Sequence, residues 1–150
     1  MTPLYLEDLK VGDRMQSGSR PLETEAIKAF ASQYDPQPFH LDEEAATTAF
    51  FGELVASGWH VAATSMRLIV ESVHFAGGLI GAGVELTWPR PTRPGDVLHV
   101  DSEIVDIAPS RSRPERGIVT VRSETRNQDG HIVQVMIARM VVRSRIGSAT

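Results

Sequence analysis

The chain has 150 residues, of which 41% are hydrophobic and 23% charged, and its formal net charge is −4. We expect residues 1–150 to form a single globular domain, because this length supports one substantial core and not two. The acidic balance argues against nucleic acid as a general partner, since phosphate binding normally requires a basic face.

The composition also predicts a cytoplasmic protein without a membrane partner. No apolar run approaches the roughly 20 residues that are needed to cross a bilayer. The first residues, MTPLYLEDLKVGD, carry acids where a signal peptide carries basic residues. The chain has no cysteine, which excludes disulfide bonds and thiolate metal sites.

Helices are predicted in the first half of the chain. After an extended lead-in over residues 1–21, a short helix begins at Thr24 and is expected to stop near Gln33, because two prolines follow. Asp42 is a suitable N-cap for a second helix over residues 43–50. A longer helix over about residues 57–73 is expected to be mostly buried. Its apolar residues are Val61, Ala62, Met66, Ile69, Val70 and Val73.

From residue 81 onward the pattern changes to alternating, β-branched residues, which predicts strands. We place these strands at about 82–89, 96–107, 116–127 and 131–143. The sequence Asn-Gln-Asp-Gly at 127–130 indicates a hairpin in which Gly130 supplies a positive φ. A buried helix followed by long antiparallel strands predicts an α+β domain whose sheet wraps around that helix.

The segment Tyr34-Asp35-Pro36-Gln37-Pro38-Phe39-His40 places a carboxylate and an imidazole five residues apart. Because proline fixes φ and lacks an N–H donor, we expect a stiff loop here and no regular helix. Such a loop can hold Asp35 and His40 around one water, which the pair deprotonates or protonates near neutral pH. The alternative is that Asp35 only forms a turn before proline and that His40 is structural.

A second candidate element is the start of the long helix, at Ser57-Gly58. The first N–H groups of a helix are unpaired and carry a positive dipole potential. Because Gly58 has no side chain, we expect a substrate carbonyl to approach closely and its developing negative charge to be stabilised. The alternative is that Ser57 is an ordinary N-cap and Gly58 a packing glycine.

These residues together resemble the MaoC-like dehydratase family, which includes the (R)-specific enoyl-CoA hydratases. The family's motif reads approximately Gly-Asp-x-Asn-Pro-hydrophobic-His and is followed by a short alanine-rich helix. Asp35, Pro38, Phe39 and His40, followed by residues 41–46, keep that order and spacing. Further on, the sequence WPRPTRPGD resembles the family's Pro-and-Gly-Asp turn between its first two long strands. The resemblance covers about residues 5–143.

The resemblance implies a hot-dog fold, in which a curved antiparallel sheet wraps around a long central helix. It also implies a homodimer whose acyl groove lies at the subunit interface. Asp35 and His40 would be the catalytic dyad, and the Gly58 N–H would bind the thioester carbonyl. No metal or redox cofactor is implied, and coenzyme A enters only as part of the substrate.

The sequence departs from the family pattern at several positions. Tyr34 replaces a glycine, Gln37 replaces an asparagine, and Ser57 stands where histidine is common. We expect these three residues, together with Trp59, to line the substrate pocket or to hold residues that do.

The expected activity is reversible addition of water to a trans-2-enoyl thioester, with an acyl-CoA as the small-molecule partner. Two other classes stay open. One is a hot-dog acyl-CoA thioesterase, in which a carboxylate activates water at the carbonyl. The other is a non-catalytic subunit that binds acyl thioesters. Because a coupled pair titrates as a unit, the sequence does not assign acid and base within the dyad.

Several arginines in the Pro-rich connecting segments have two interpretations. They are either solvated loop charges or contacts for the phosphates of a nucleotide-bearing substrate. They are Arg90, Arg93, Arg111, Arg113 and Arg116.

Overall fold

The computed structural model describes residues 2–146, which form one five-stranded antiparallel sheet and four α-helices. The strands are β1 (Arg14–Pro21), β2 (Ile80–Thr87), β3 (Val97–Pro109), β4 (Arg116–Arg126) and β5 (Ile132–Arg143). The helices are α1 (Thr24–Tyr34), α2 (Pro38–Leu41), α3 (Glu43–Thr47) and α4 (Gly58–Ser72).

The sheet has the strand order β1-β3-β4-β5-β2, so that β1 and β2 form its two edges. The predicted strands are confirmed within a few residues of their expected ends. The lead-in differs from the expectation, because part of it forms β1 and pairs antiparallel with β3. The hairpin between β4 and β5 is also confirmed, and Gly130 has a φ of 78° there.

The core lies between α4 and one face of the sheet. Alternate residues of β3 and β4 are buried, as expected for strands with one covered face. Val61 and Leu68 of α4 belong to the same buried cluster as Leu98, Ile104 and Val119 of the sheet. The curved sheet around a central helix is the hot-dog fold that the resemblance implies.

The prediction for the long helix is right in position and partly wrong in burial. Helix α4 begins and ends within one residue of the expected bounds. However, Met66 is 42% and Val70 45% exposed. Met66 borders an open groove that α4 forms with β2 and β5. None of the helices within residues 2–146 is both long and apolar enough to cross a membrane.

The proline-rich segment differs from the expected irregular loop. Pro38 begins the four-residue helix α2. A proline is favourable at the first helical position, because its missing N–H has no intrahelical acceptor there and its φ already suits a helix. Asp42 caps α3 by accepting a hydrogen bond from the Glu44 N–H at 3.1 Å, as predicted, but α3 ends at Thr47 and not at residue 50.

Candidate active site

Asp35 and His40 are brought together by the turn between α1 and α2. Asp35 is the C-cap of α1, and its N–H donates to the Ala31 carbonyl at 2.9 Å. His40 lies on α2, two residues after Pro38. Its Nε2 is 3.2 Å from Oδ2 of Asp35. The two prolines and the two short helices therefore bring the carboxylate and the imidazole into direct contact.

The imidazole of His40 is held from both sides. It is only 5% exposed, and its Nδ1 lies 2.6 Å from the carbonyl oxygen of Val55. The Val55 N–H in turn donates to the Phe39 carbonyl at 3.2 Å. Since a carbonyl oxygen can only accept, Nδ1 carries a proton and Nε2 is the nitrogen that faces Asp35.

The carboxylate of Asp35 is held in its ionised form. Burial acts to raise its pKa, but hydrogen bonds from Ser57 and Gln37 and the charge of His40 outweigh burial, so that the pKa lies below the usual 3.8. The Gln37 amide donates to Oδ1 at 2.6 Å. Ser57 and Gln37, which the sequence predicts to lie around the pocket, thus hold the carboxylate.

The start of α4 forms the third part of the site. Ser57 is fully buried and caps the helix, because its Oγ accepts from the Trp59 N–H at 3.2 Å. The N–H groups of His60 and Val61 donate to the Ser57 carbonyl. Gly58 N–H has no acceptor among residues 2–146. An unpaired donor at a helix N-terminus attracts negative charge.

The space beside Gly58 is filled, which differs from the open approach that we expected. A Cβ added to Gly58 would lie 2.7 Å from Cε2 and 2.9 Å from Cδ2 of Trp88. The indole N–H of Trp88 donates to Oε1 of Gln134 at 2.9 Å, and its ring meets Trp59 edge-on at 5.6 Å. Gly58 is therefore required for close packing against an indole, while its N–H remains available.

A cavity of about 610 Å³ connects these groups. Asp35, Gln37, His40, Gly58 and Trp59 all line it. Ser57 lies behind this lining, where it contacts Asp35. An apolar wall, which includes Phe50, Phe51, Trp88 and Pro89, completes the cavity.

Tyr34 is the predicted site residue that the structure does not bring into this cavity. Its side chain is 70% exposed and packs on Phe30 of the same helix, with ring centroids 5.2 Å apart. Trp88 and Val55 were not singled out as site residues. Trp88 carried a usable signal, because it lies in the turn that resembles the family. Val55 carried none, since it acts only through its backbone.

The arginines divide into two groups at opposite ends of the sheet. Arg90 lines the cavity, and Arg93 forms an ion pair with Glu53 at the same end. The other three arginines lie in or next to the loop that joins the far ends of β3 and β4, where Pro109 pairs with Gly117. Only Arg90 is therefore placed to meet a ligand in this cavity.

The residues of the cavity do not include a cluster of metal ligands. Within the part of the chain that is described, no group of three or more His, Asp or Glu side chains converges on one point. The polar groups of the site are the Asp35–His40 pair, the Gln37 amide and the Gly58 N–H.

Comparison with known proteins places this chain in a family. The model of the MaoC like domain matches residues 10–127. A crystal structure of the MaoC-like dehydratase from Rhodospirillum rubrum is 59% identical, with a TM-score of 0.92 over 95% of this chain and 98% of that one. The R-hydratase PhaJ1 from Pseudomonas aeruginosa is 26% identical, with a TM-score of 0.78 over 95% and 87% of the two chains.

A relative with a named activity was also found by sequence. The 3-hydroxybutyryl-CoA dehydratase of Methylorubrum extorquens is 29% identical over 112 residues, which are 73% of this chain and 69% of that protein. The chain therefore belongs to the MaoC-like dehydratase family and has its hot-dog fold.

Proposed function

We propose that this protein is a cytoplasmic hydratase that adds water reversibly to a trans-2-enoyl-CoA and forms a 3-hydroxyacyl-CoA. The observation that carries this proposal is the contact between Asp35 and His40 at the wall of the 610 Å³ cavity. An ionised carboxylate beside an imidazole with one fixed N–H is suited to take a proton from water and to return one to carbon.

The reaction removes one proton from water and adds one proton to C2 of the substrate. Asp35 and His40 together can carry out both transfers. Asp35 accepts a proton from water, and the hydroxyl oxygen forms a bond to C3 of the enoyl group. The proton on Asp35 passes to the unprotonated Nε2 of His40 across the 3.2 Å contact. The electrons of the C2–C3 double bond move towards the thioester, and C2 then takes this proton from Nε2, which leaves the pair as it began.

The start of α4 supplies the electrostatic part of this mechanism. Negative charge develops on the thioester oxygen when the hydroxyl attacks C3. The Gly58 N–H has no acceptor among residues 2–146 and lines the same cavity as the dyad. A donor that is already oriented stabilises such a charge without reorganisation. We therefore assign the thioester oxygen to this N–H.

Two relatives support the choice of substrate class. The Methylorubrum relative is named for a 3-hydroxybutyryl-CoA and the Pseudomonas structure for an R-hydratase. We propose an acyl-CoA as the substrate here and no cofactor beyond the coenzyme A that the substrate carries. Proton transfer by a carboxylate and an imidazole is sufficient for adding water to a conjugated double bond.

The first test is a product assay with a panel of trans-2-enoyl-CoAs of different chain length. We expect loss of the enoyl absorbance and a product heavier by one water, without release of free thiol. Release of free CoA from a saturated acyl-CoA would support the thioesterase alternative instead. Tight binding of acyl-CoA with neither reaction would support the binding subunit.

We also propose that the protein is a homodimer that forms through β2. This strand is an edge of the sheet, and its Ile80 and Val84 are 53% and 58% exposed. Met66 and Val70 of α4 add further exposed apolar surface. An open edge with apolar side chains favours pairing with another strand. Light scattering should give twice the chain mass, and Val84→Lys should shift the protein towards monomer.

A further inference from the structure

The indole of Trp88 packs on the first residue of α4. A Cβ added to Gly58 would lie 2.7–3.0 Å from three atoms of the ring. Both residues line the active-site cavity. The ring is therefore part of the cavity wall at the helix N-terminus, where we assign the thioester oxygen.

The register of the sheet brings a buried glutamine to this indole. Thr87, the last residue of β2, pairs with Val135 of β5, so that Trp88 comes opposite Gln134. Opposite residues of antiparallel strands point to the same face of the sheet. The Oε1 of Gln134 accepts a hydrogen bond from the indole N–H at 2.9 Å. Because an indole has a single donor and no acceptor, this bond uses its whole hydrogen-bonding capacity.

The amide of Gln134 is poorly suited to its surroundings except at this bond. The residue is only 1% exposed, and its Nε2 has no hydrogen-bond partner among the described residues. An unpaired donor in the interior lowers stability, whereas an apolar side chain of similar shape carries no such penalty. The clear effect of the amide is therefore to orient the indole.

A second contact fastens the same face of α4 to the sheet. Thr125 of β4 pairs with Gln134 in register, and its Oγ1 lies 2.6 Å from Oγ of Ser65 on α4. Ser65 and Gly58 are seven residues apart and so lie on one face of the helix. The first two turns of α4 are thus held at both ends, by the hydroxyl pair at Ser65 and by the indole at Gly58.

The peptide that carries the Gly58 N–H is held by its own helix at one end only. This N–H and the Ser57 carbonyl belong to the same planar unit. The carbonyl accepts helix hydrogen bonds from the N–H groups of His60 and Val61. At the other end of the unit, the Cα of Gly58 has no side chain to fix it, and there the indole of Trp88 supplies the contact. The direction of the N–H therefore depends on the helix and on the ring together.

We propose that Gln134 is a positioning residue for the hydration reaction, because it holds the indole that keeps the Gly58 N–H directed at the thioester oxygen. This inference rests on the proposed hydratase function and adds a residue that the substrate does not touch. Gln134 lies behind Trp88 and does not line the cavity. It therefore acts on the reaction only through the ring.

The test compares kcat and KM for trans-2-butenoyl-CoA in the wild type and in Gln134→Met, which is similar in shape and removes the acceptor of the indole. A displacement of about 1 Å near the reacting atoms can cost about 10²-fold in rate. Because a freed indole moves by less than this, we expect kcat to fall about tenfold and KM to change by less than about twofold. Thermal unfolding identifies the variants that fold.

A double variant shows whether Gln134 acts through the indole. Trp88→Phe removes the indole N–H and keeps a ring beside Gly58, so it should also lower kcat about tenfold. Adding Gln134→Met should lower kcat by less than about twofold further, because both changes remove the same hydrogen bond.

Ser102→Ala is the matched control for the loss of a buried hydrogen bond. The Ser102 and Ser123 hydroxyl oxygens are 2.7 Å apart, both residues are buried, and neither lines the cavity. This variant should be less stable than the wild type and should keep its kcat.

The hold on the indole also has a readout that does not depend on activity. The chain has two tryptophans, so a ¹H–¹⁵N spectrum contains two indole N–H signals, which Trp59→Phe assigns. Because a hydrogen-bonded N–H is protected from exchange, the Trp88 signal should exchange with solvent at least about tenfold more slowly in the wild type than in Gln134→Met.

The outcomes separate this inference from the function on which it rests. An unchanged kcat in folded Gln134→Met or in folded Trp88→Phe would overturn the inference alone. So would indole exchange that is equally slow in Gln134→Met, or losses of kcat that multiply in the double variant. A wild type that hydrates no enoyl-CoA of any length would overturn the proposed function and this inference together.

Discussion

Nδ1 of His40 lies 2.6 Å from the carbonyl oxygen of Val55, a contact that fixes which nitrogen of the imidazole can exchange protons. A carbonyl oxygen accepts hydrogen bonds only, so Nδ1 keeps its proton in both charge states of the ring. All proton exchange is left to Nε2, which is 3.2 Å from Oδ2 of Asp35. The backbone of residue 55 thereby directs the imidazole towards the carboxylate.

We therefore predict that neutral His40 is protonated on Nδ1. The ¹⁵N chemical shifts of the ring, assigned with a His40→Ala sample as the blank, report this directly. In the neutral ring, Nδ1 should show the shift of a protonated nitrogen and Nε2 that of an unprotonated one. A neutral ring with its proton on Nε2 would contradict the orientation that we describe.

The second prediction concerns Asp35 and acid stability. Its pKa is lowered in the folded protein because hydrogen bonds from Ser57 and Gln37 and the charge of His40 outweigh burial. A carboxylate of this kind stabilises the fold above the unfolded pKa and loses that contribution as the pH falls through the lower folded pKa. The free energy of unfolding of the wild type relative to Asp35→Asn should thus be largest above about pH 4 and decrease below it.

Urea unfolding of both proteins between about pH 6 and pH 3 measures this difference. Ser57→Ala provides a second comparison, because it removes one hydrogen bond to the carboxylate and the N-cap of α4. It should raise the pKa of Asp35 and lower stability by about 1 kcal/mol. A wild-type advantage over Asp35→Asn that stays constant across this pH range would show that the carboxylate is not stabilised in its ionised form.

The third prediction follows from the contact between Gly58 and Trp88. Gly58→Ala places a methyl group 2.7 Å from the indole, so that the ring or the helix must move. We expect a loss of about 1–3 kcal/mol of stability from overpacking, although alanine is the better helix former. We also expect a lower kcat/KM, because the helix N-terminus lines the active-site cavity. Chemical denaturation and the hydration assay measure the two effects.

Gly18→Ala is the matched control for this substitution. Gly18 lies on β1, and a Cβ there would meet no atom within 4 Å. Its effect on stability should stay within about 0.5 kcal/mol. Adding Trp88→Leu to Gly58→Ala should restore part of the lost stability. If Gly58→Ala proves as mild as Gly18→Ala, the close packing against the indole is not the reason for glycine.

The fourth prediction concerns Arg90, the arginine that lines the cavity. Its Nη1 lies 3.4 Å from Nδ1 of His131, and no carboxylate partner is found for it within residues 2–146. If the substrate is a CoA ester, Arg90→Ala should raise the KM for that ester about three- to tenfold. This is the effect of losing an exposed contact between opposite charges that contributes roughly 1 kcal/mol to binding. The KM of the N-acetylcysteamine thioester, which lacks phosphates, should not change.

Arg111→Ala is the control for this charge, because Arg111 lies in the loop between β3 and β4 at the other end of the sheet. It should leave the KM of both thioesters unchanged. An equal rise of KM for both thioesters in Arg90→Ala would indicate that Arg90 shapes the cavity and does not contact phosphate.

The sequence was sufficient to predict most of the secondary structure because its patterns are local. Alternating β-branched residues place β3, β4 and β5, and the 127–130 turn joins the last two. The long stretch of apolar residues at about 57–73 predicts helix α4. The small helix α2 differs from the predicted loop, because Pro38 occupies the first helical position, where proline is favourable and does not break the helix.

The candidate site was predictable only where side chains carry the signal. Asp35 and His40 stand out by residue type and spacing, whereas the Val55 carbonyl that fixes the imidazole is invisible in a sequence. Trp88 is separated from Gly58 by 30 positions, so their contact depends on the tertiary fold. The exposure of Met66 was misjudged because an apolar helix face indicates burial without telling which surface covers it.

The most direct test of the central claim is hydration of trans-2-butenoyl-CoA by the wild type, Asp35→Asn and His40→Ala, with His99→Ala as the control. His99 also contacts an aspartate, Asp101 at 3.6 Å, but on β3 and outside the cavity. We predict that kcat falls about 10²- to 10⁴-fold in each of the two dyad variants, while both remain folded, and stays unchanged in His99→Ala. Activity that survives in both dyad variants would contradict the assignment of Asp35 and His40 as the catalytic pair.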